Sequence, residues 1–342
     1  MGPVACIDVG TVTVRLAVAD VDVPSSKVTR MLKRSTICNM GEGLSATGRS
    51  GDAARGRVVG CVDAYLQIAR SVGAAACCCT LTSAARDATN SDVLVGDLER
   101  RGLHPQVIAG EVEGSLTFLG VAQDFVGERL LVADNGGGST ELAVGALRGQ
   151  GGGAGAQPAP APLLDLECVR STDVGCRRMT ERFLSGGDPP TEADIAAARA
   201  FADGLLAPVL AEERIAEQPP ERLVVTGGTA TSLVAIHKRL DPYDPAQVHR
   251  ATLSRADVDA LTGLLSSRTV EERAQLKGLQ PQRAPLILAG AIAISELMLL
   301  SGASAYTASE SDLLFGLAVC AARTTVGLPC PIAWTPLPAD LR

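Results

Sequence analysis

Asp8-Val-Gly10-Thr11-Val12-Thr13-Val14-Arg15-Leu16-Ala17-Val18 and Asp134-Asn-Gly136-Gly137-Gly138-Ser139-Thr140-Glu141-Leu142-Ala143-Val144 are two copies of one eleven-residue pattern, 126 positions apart. Asp, Gly and a Leu-Ala-Val run fall at identical offsets. Each copy follows an apolar run (Val4–Ile7, Leu130–Ala133) and reads as strand, tight glycine turn, strand. Such a turn leaves backbone N–H groups close to whatever sits in it, which suits a phosphate, and the Asp at the strand end can hold a metal ion or a water beside it. The duplication implies two similar α/β domains facing each other across a cleft, each presenting one phosphate-gripping loop.

A length of 342 residues accommodates two domains. Hydrophobic residues make up 46% and aromatic ones 3%, so the cores must be built from Ala, Val, Leu and Ile. The net charge of −7 gives no global basic field to recruit nucleic acid or an anionic membrane. Ten cysteines include the run Cys77-Cys78-Cys79 but no C-x-x-C pair, a pattern of buried, reduced thiols in a cytoplasmic protein rather than of disulfides or zinc. Residues 1–20 lack a secretory signal. The apolar stretch Ala284–Ile294 is short of the ~20 residues that span a bilayer. A soluble protein is expected.

Along the chain, residues 3–38 read as strands with a turn at Asp20–Ser26, and 52–72 as an amphipathic helix. A strand (74–82), a helix (91–101), a short strand (106–108) and a helix (111–121) follow. The second unit opens at Leu130 and is interrupted by the Gly/Ala/Pro-rich stretch 148–162, read as a hairpin tip. Its remaining pattern gives strand 163–170, helices at 176–184 and 191–216, strand 222–225, helix 229–239, helical segments at 254–267 and 283–300, strand 303–308 and helix 311–325. The expected division is 1–126, rejoined by the C-terminal helix 309–326, then 127–308, then a loosely held Pro-rich tail at 327–342. Residues 284–300 and the Ala-rich surface offer a patch for a homodimer.

Four segments carry chemistry. In Gly136-Gly137-Gly138-Ser139-Thr140-Glu141 the glycines admit an oxyanion, the hydroxyls can donate, and Glu141 can join Asp134 on Mg2+. Gly227-Gly228-Thr229 lies between an apolar strand and a helix, an anion-binding arrangement that is equally a capped turn. Arg86, after strand 74–82, could fork onto phosphate oxygens or pair with Asp87 or Glu99. Glu111 and Glu113 stand at a helix start, where spacing alone favours simple dipole capping. His104, His237 and His249 are scattered, with no nucleophile elbow, P-loop or kinase motif nearby.

These segments, with Val107–Gly114, Asp173–Cys176, Thr180–Arg182, Tyr243-Asp244, Val248-His249, Arg283-Ala284 and Ser309-Glu310, stand in the order found in the Ppx/GppA phosphatases, the exopolyphosphatases and guanosine pentaphosphate phosphohydrolases. The resemblance covers about residues 4–320. It implies two duplicated actin-like (ribonuclease H-like) domains with an active cleft between them, and Mg2+- or Mn2+-dependent hydrolysis of a terminal phosphoanhydride. Carried over by motif, Glu113 resembles the water-activating carboxylate and Arg86 the phosphate-binding arginine. Asp134, Glu141 and Asp8 resemble the metal-side acids. Asp8, Gly10, Thr11, Thr13, Gly136, Gly137, Gly138, Ser139, Thr140, Gly228 and Thr229 resemble the phosphate loops.

The chain departs from the family pattern at Val12, commonly Asn, at Val112, often acidic, and at Gly114-Ser115, where an Arg is usual. It resembles the short, core-only exopolyphosphatases, with inorganic polyphosphate, favouring short chains, as the expected substrate. A guanosine pentaphosphate phosphohydrolase, acting on penta- or tetraphosphate, and a weakly hydrolysing alarmone or nucleotide sensor remain open alternatives.

Overall fold

The computed structural model describes residues 2–148 and 163–342; the expected hairpin tip lies, beyond Arg148, outside them. The chain divides into two compact units, Met1–Glu128 with Gly145–Glu167 and Asp312–Arg342, and Arg129–Val144 with Cys168–Ser311.

The first sheet begins with β1 (Val4–Val9), β2 (Thr13–Asp22) and β3 (Lys27–Ile37), an antiparallel meander in which Asp8 pairs with Arg15. Helices α1 (Leu44–Thr47) and α2 (Asp52–Ser71) lead to β4 (Ala76–Leu81), which lies parallel to β1. Next come α3 (Ser83–Asp87), α4 (Ser91–Glu99), β5 (Pro105–Val107), parallel to β4, and α5 (Gly110–Ala122). β1 is buried at every position, as a central strand covered on both faces must be. One face carries Ile7, Leu16 and Cys79 against α2; the other carries Cys6 and Cys78 against Leu116, Leu317 and Cys320.

The second sheet repeats the plan with β6 (Arg129–Asn135), β7 (Thr140–Arg148) and β8 (Leu163–Thr172). After α6 (Cys176–Met179), a π-helical turn (Thr180–Leu184) and α7 (Glu192–Glu212), β9 (Arg222–Thr226) joins β6 in parallel. The chain continues through α8 (Gly228–Lys238), α9 (Pro245–Val248), β10 (Thr252–Ser254), α10 (Arg255–Ser266), α11 (Val270–Ala274) and α12 (Ile287–Ser301) to β11 (Ala305–Ala308). The strand orders β3-β2-β1-β4-β5 and β8-β7-β6-β9-β11 are the same, so the repeated hairpin reflects a duplicated α/β fold.

After β11 the chain returns to the first unit as α13 (Leu313–Thr325), which crosses α5 at close range. An added Cβ at Gly120 would fall 2.2 Å from the Asp312 carbonyl, and one at Gly316 would fall 2.0 Å from that of Leu116.

Two readings of the sequence change. The tail is held: β12 (Ala339–Asp340) pairs antiparallel with Ala76 and Cys77 on β4. Residues 284–300 are core, with Ile287, Leu288, Ile292, Ile294, Leu297 and Met298 all buried, which removes the apolar patch suggested for a homodimer.

Candidate active site

Both copies of the opening motif close their turn with the same bond. Gly10 N–H donates to the Thr13 carbonyl at 2.9 Å, and Gly136 N–H donates to the Ser139 carbonyl at 3.0 Å. The first turn is braced from outside: Cys38 and Asn39 N–H both donate to the Val12 carbonyl, and Gly41 N–H donates to that of Thr11, each at 2.9 Å. Val12 is buried, so the residue that departs from the family pattern serves the loop through its backbone.

Seven residues beyond the Asp, the two copies diverge. In the first, Arg15 donates to Asp8 Oδ2 at 2.8 Å, while Thr80 Oγ1 donates to Oδ1 at 3.2 Å. Both Asp8 oxygens are thus taken. Arg15 goes on to Asp312 at 3.1 Å. In the second copy the equivalent of Arg15 is Glu141. It is 2% exposed and accepts from Ser171 Oγ at 2.8 Å, while Asp134 is 6% exposed. Two buried acids therefore occupy positions that hold an ion pair in the first copy.

Asp134 and Glu141 are the candidate metal ligands. Their hard carboxylate oxygens, with the buried Asn135 Oδ1 nearby in sequence lacking any hydrogen-bond partner, suit Mg2+ or Mn2+. Among the described residues no three His, Cys, Asp or Glu side chains converge. A cation held by one or two carboxylates plus substrate and water fits that poverty of ligands; a full protein cage does not.

The Gly136–Ser139 loop is fixed through its carbonyls. Gly136 O accepts from Cys176 N–H, Gly137 O from Arg177 and Arg178 N–H, and Gly138 O from Arg178 Nε at 2.8 Å. The N–H groups of Gly137 and Gly138 have no acceptor among the described residues. A Cβ at Gly175 would fall 2.2 Å from the Gly138 carbonyl carbon, so only glycine lets the two segments touch.

The first turn of α8 joins this loop. At Gly227 (φ 100) a Cβ would lie 3.1 Å from Asp134 Oδ1, and α8 carries no side-chain cap. Over Gly228 lies the Arg283 guanidinium, 1.8 Å from where a Cβ would be. Unpaired amides, a helix N-terminus and a guanidinium thus collect beside Asp134, an arrangement that can hold a phosphoryl group. Arg283 was no site candidate from sequence, since its place beside Gly228 bridges 55 positions; its position in the family order was the only signal.

Arg283 also borders Tyr243. Burial, then Glu310, push the Tyr243 hydroxyl well above the ordinary range, and Thr231 and Arg283 oppose them. The Tyr243 hydroxyl is bonded to Glu310, whose N–H donates to His249 Nδ1 at 3.2 Å.

In the first unit, α5 places Glu113 in its first turn, 8% exposed, where Arg86 Nη1 reaches Oε2 at 2.7 Å and the Ile108 carbonyl at 2.9 Å. Arg86, expected on phosphate, holds Glu113 in place. Glu111 is exposed and its carbonyl accepts from Ser115 Oγ, so only the second acid of the pair is enclosed. Val112 packs against the α13 side of the core, which explains an apolar residue there.

Three further arginines that follow the Gly175 contact are engaged by the protein. Arg177 meets Glu181 at 3.1 Å, Arg178 meets Asp173 at 3.2 Å, and Arg182 lies against the rings of both Phe183 and Phe201. No helix among the described residues is long and apolar enough to cross a membrane.

Residues 17–314 match the Ppx/GppA phosphatase family. The chain is 31% identical over 330 residues to exopolyphosphatase 2 of Mycobacterium tuberculosis, covering 92% of this chain and 97% of that one. It is 30% identical over 289 residues to exopolyphosphatase 1 of the same organism, covering 84% and 78%. Among solved structures, an exopolyphosphatase-like protein superposes with TM-score 0.82 at 28% identity, covering 95% of this chain and 99% of that one. The Aquifex aeolicus member of the Ppx/GppA family gives TM-score 0.73 at 26%, covering 95% and 98%. With its duplicated actin-like fold and these likenesses over nearly its whole length, the chain belongs to the Ppx/GppA phosphatase family, hydrolases acting on phosphoanhydride bonds.

Proposed function

We propose that the protein releases orthophosphate from the ends of inorganic polyphosphate. The observation that carries this reading is the cradle of Gly137 and Gly138 amides, the α8 N-terminus and Arg283 beside the buried Asp134. Its donors match a terminal phosphoryl group, and the two mycobacterial relatives are named as exopolyphosphatases.

Asp134 and Glu141 would hold Mg2+ or Mn2+, which supplies charge neutralisation of the phosphate oxygens when bound. The amides and Arg283 take the charge that gathers on the transferred group, without reorganising as it develops. Glu113, kept in one orientation by Arg86, accepts the proton of the attacking water; the water oxygen forms the new P–O bond as the bridging oxygen leaves with the shortened chain.

Arg15, Arg177, Arg178 and Arg182 are engaged by the protein's own side chains, which favours short polyphosphates over long ones. Phosphate release from polyphosphate and from guanosine pentaphosphate, measured side by side with Mg2+, tests the assignment. Faster release from polyphosphate is expected, and release from the nucleotide alone overturns it.

A further inference from the structure

The two hairpins differ at one pair of positions behind the turn. In the first copy Val9 and Val14 face each other across the strands, and both are buried. The same offsets in the second copy carry Asn135 and Thr140, also buried. Asn135 Nδ2 donates to Thr140 Oγ1 at 2.9 Å, and Thr140 Oγ1 donates to the Val174 carbonyl. A carbonyl can only accept, so the single hydroxyl proton of Thr140 is committed to Val174. The hydroxyl oxygen must then accept from Asn135, which fixes the amide with Nδ2 toward Thr140 and Oδ1 away from it. Asn135 Oδ1 is buried and accepts no hydrogen bond among the described residues. The Val9–Val14 pair shows that two apolar side chains fit the equivalent place without that cost, so stability alone does not explain the polar pair.

What the pair holds is the segment beneath the glycine loop. Val174 is followed by Gly175, where an added Cβ would fall 2.2 Å from the Gly138 carbonyl carbon. Next come the amides that fix the loop, Cys176 N–H on Gly136 O at 3.0 Å and Arg177 N–H on Gly137 O at 2.8 Å. In a trans peptide the C=O of one residue and the N–H of the next lie antiparallel in one plane. Holding Gly136 O therefore aims the Gly137 N–H the opposite way, and holding Gly137 O does the same for the Gly138 N–H. These are the two loop amides that have no acceptor among the described residues.

We propose that Asn135 and Thr140 are positioning residues for the phosphoryl group: through Val174 they set segment 174–177, and that segment turns the Gly137 and Gly138 amides toward the anion. Thr140 acts from behind the loop, with no proton left for a phosphate oxygen. The proposal rests on the reading of this loop as a phosphate cradle.

Thr140→Val keeps the side chain's shape and cuts the link to Val174. A misplacement of about 1 Å costs up to about a hundred-fold in rate, and kcat/KM for short polyphosphate should fall about 10- to 100-fold. Asn135→Val should cause a smaller loss alone and none on top of Thr140→Val, since both cut one link. The double variant recreates the Val–Val pair of the first copy and leaves no Asn135 amide unpaired. Its melting temperature should therefore exceed that of Thr140→Val while its activity stays low.

The direct test follows the Gly137 and Gly138 amides by NMR in deuterated, backbone-assigned full-length protein titrated with inorganic phosphate and Mg2+. In the wild type both amide protons should shift, and Thr140→Val should need at least about ten-fold more phosphate. Thr140→Ser keeps the hydroxyl and should recover most of the loss in affinity and in rate.

Unchanged phosphate affinity at the two amides in folded Thr140→Val overturns the positioning role, as does a double variant that regains activity together with stability. A loss in Thr140→Val with none in Asn135→Val makes Thr140 a direct phosphate ligand and overturns the link. Wild-type amides that do not respond to phosphate overturn the cradle and the proposal together. A wild-type protein that binds phosphate through these amides, and loses that binding in Thr140→Val, yet releases no phosphate from polyphosphate or guanosine pentaphosphate, refutes the proposed function and leaves the positioning role standing.

Discussion

Arg86 Nη1 meets Glu113 Oε2 at 2.7 Å, and the same guanidinium nitrogen is anchored on the Ile108 carbonyl at the foot of α5. The arginine therefore positions the acid. Arg86→Ala is expected to lower kcat about 10- to 100-fold with a smaller change in KM, the pattern for an interaction that matters chiefly in the transition state. Arg86→Lys should recover part of kcat. Steady-state kinetics on short polyphosphate check this; a rise in KM at unchanged kcat would make Arg86 a substrate-binding cation instead.

Arg283 and Gly228 should behave as one unit. Gly228→Ala puts a methyl 1.8 Å from the present Nη1 position, so the guanidinium must swing away. Gly228→Ala and Arg283→Ala should each raise KM about ten-fold, and the double variant should be little worse than either, since both remove the same contact. Full additivity on the free-energy scale would show that the two act separately.

Asp312 gives a pH dependence with a definite sign. Burial alone would raise its pKa, but Lys33 and Arg15, at 3.0 and 3.1 Å, reverse this and hold the carboxyl below its ordinary value. A lowered folded-state pKa contributes stability that is complete above the unfolded value of about 3.9 and lost as pH falls through the folded value. Asp312→Asn should therefore destabilise the protein by about 3 kcal/mol at neutral pH. It should also flatten the fall in stability below about pH 4. Urea unfolding across pH 2.5–7 reads both, and a variant with the wild-type acid slope would contradict the assignment.

The pairing of four arginines near the loops bears on chain length. With Arg15, Arg177, Arg178 and Arg182 engaged by Asp8, Glu181, Asp173 and two phenylalanines, retention of a polyanion between cuts should be weak. Gel analysis of partly digested long chains should show a steadily shortening ladder. Activity on them should drop markedly as salt shortens the Debye length below about 10 Å. Intact long chains beside free phosphate would mean processive cutting.

The duplicated hairpins were legible because their signal is local: an apolar strand, a glycine turn and a second strand within eleven residues, twice. The amphipathic α2 was legible for the same reason. What escaped depends on contacts remote in sequence. Arg283 reaches Gly228 across 55 residues, Arg15 looks like any exposed strand arginine until Asp312 arrives from 297 residues away, and β12 exists only because the edge of β4 beyond β5 needs a partner. That Asp8 and Arg86 each face an opposite charge is something spacing could not reveal.

Glu113→Gln gives the most direct test, because the amide keeps the side chain's size and its oxygen can still accept from Arg86 while it can no longer take a proton from water. Orthophosphate release from short polyphosphate with Mg2+ should fall by about 10²–10⁴-fold, with an unchanged circular dichroism spectrum and melting temperature. Release at the wild-type rate from a folded Glu113→Gln protein would contradict the assignment of Glu113 as the group that activates the water.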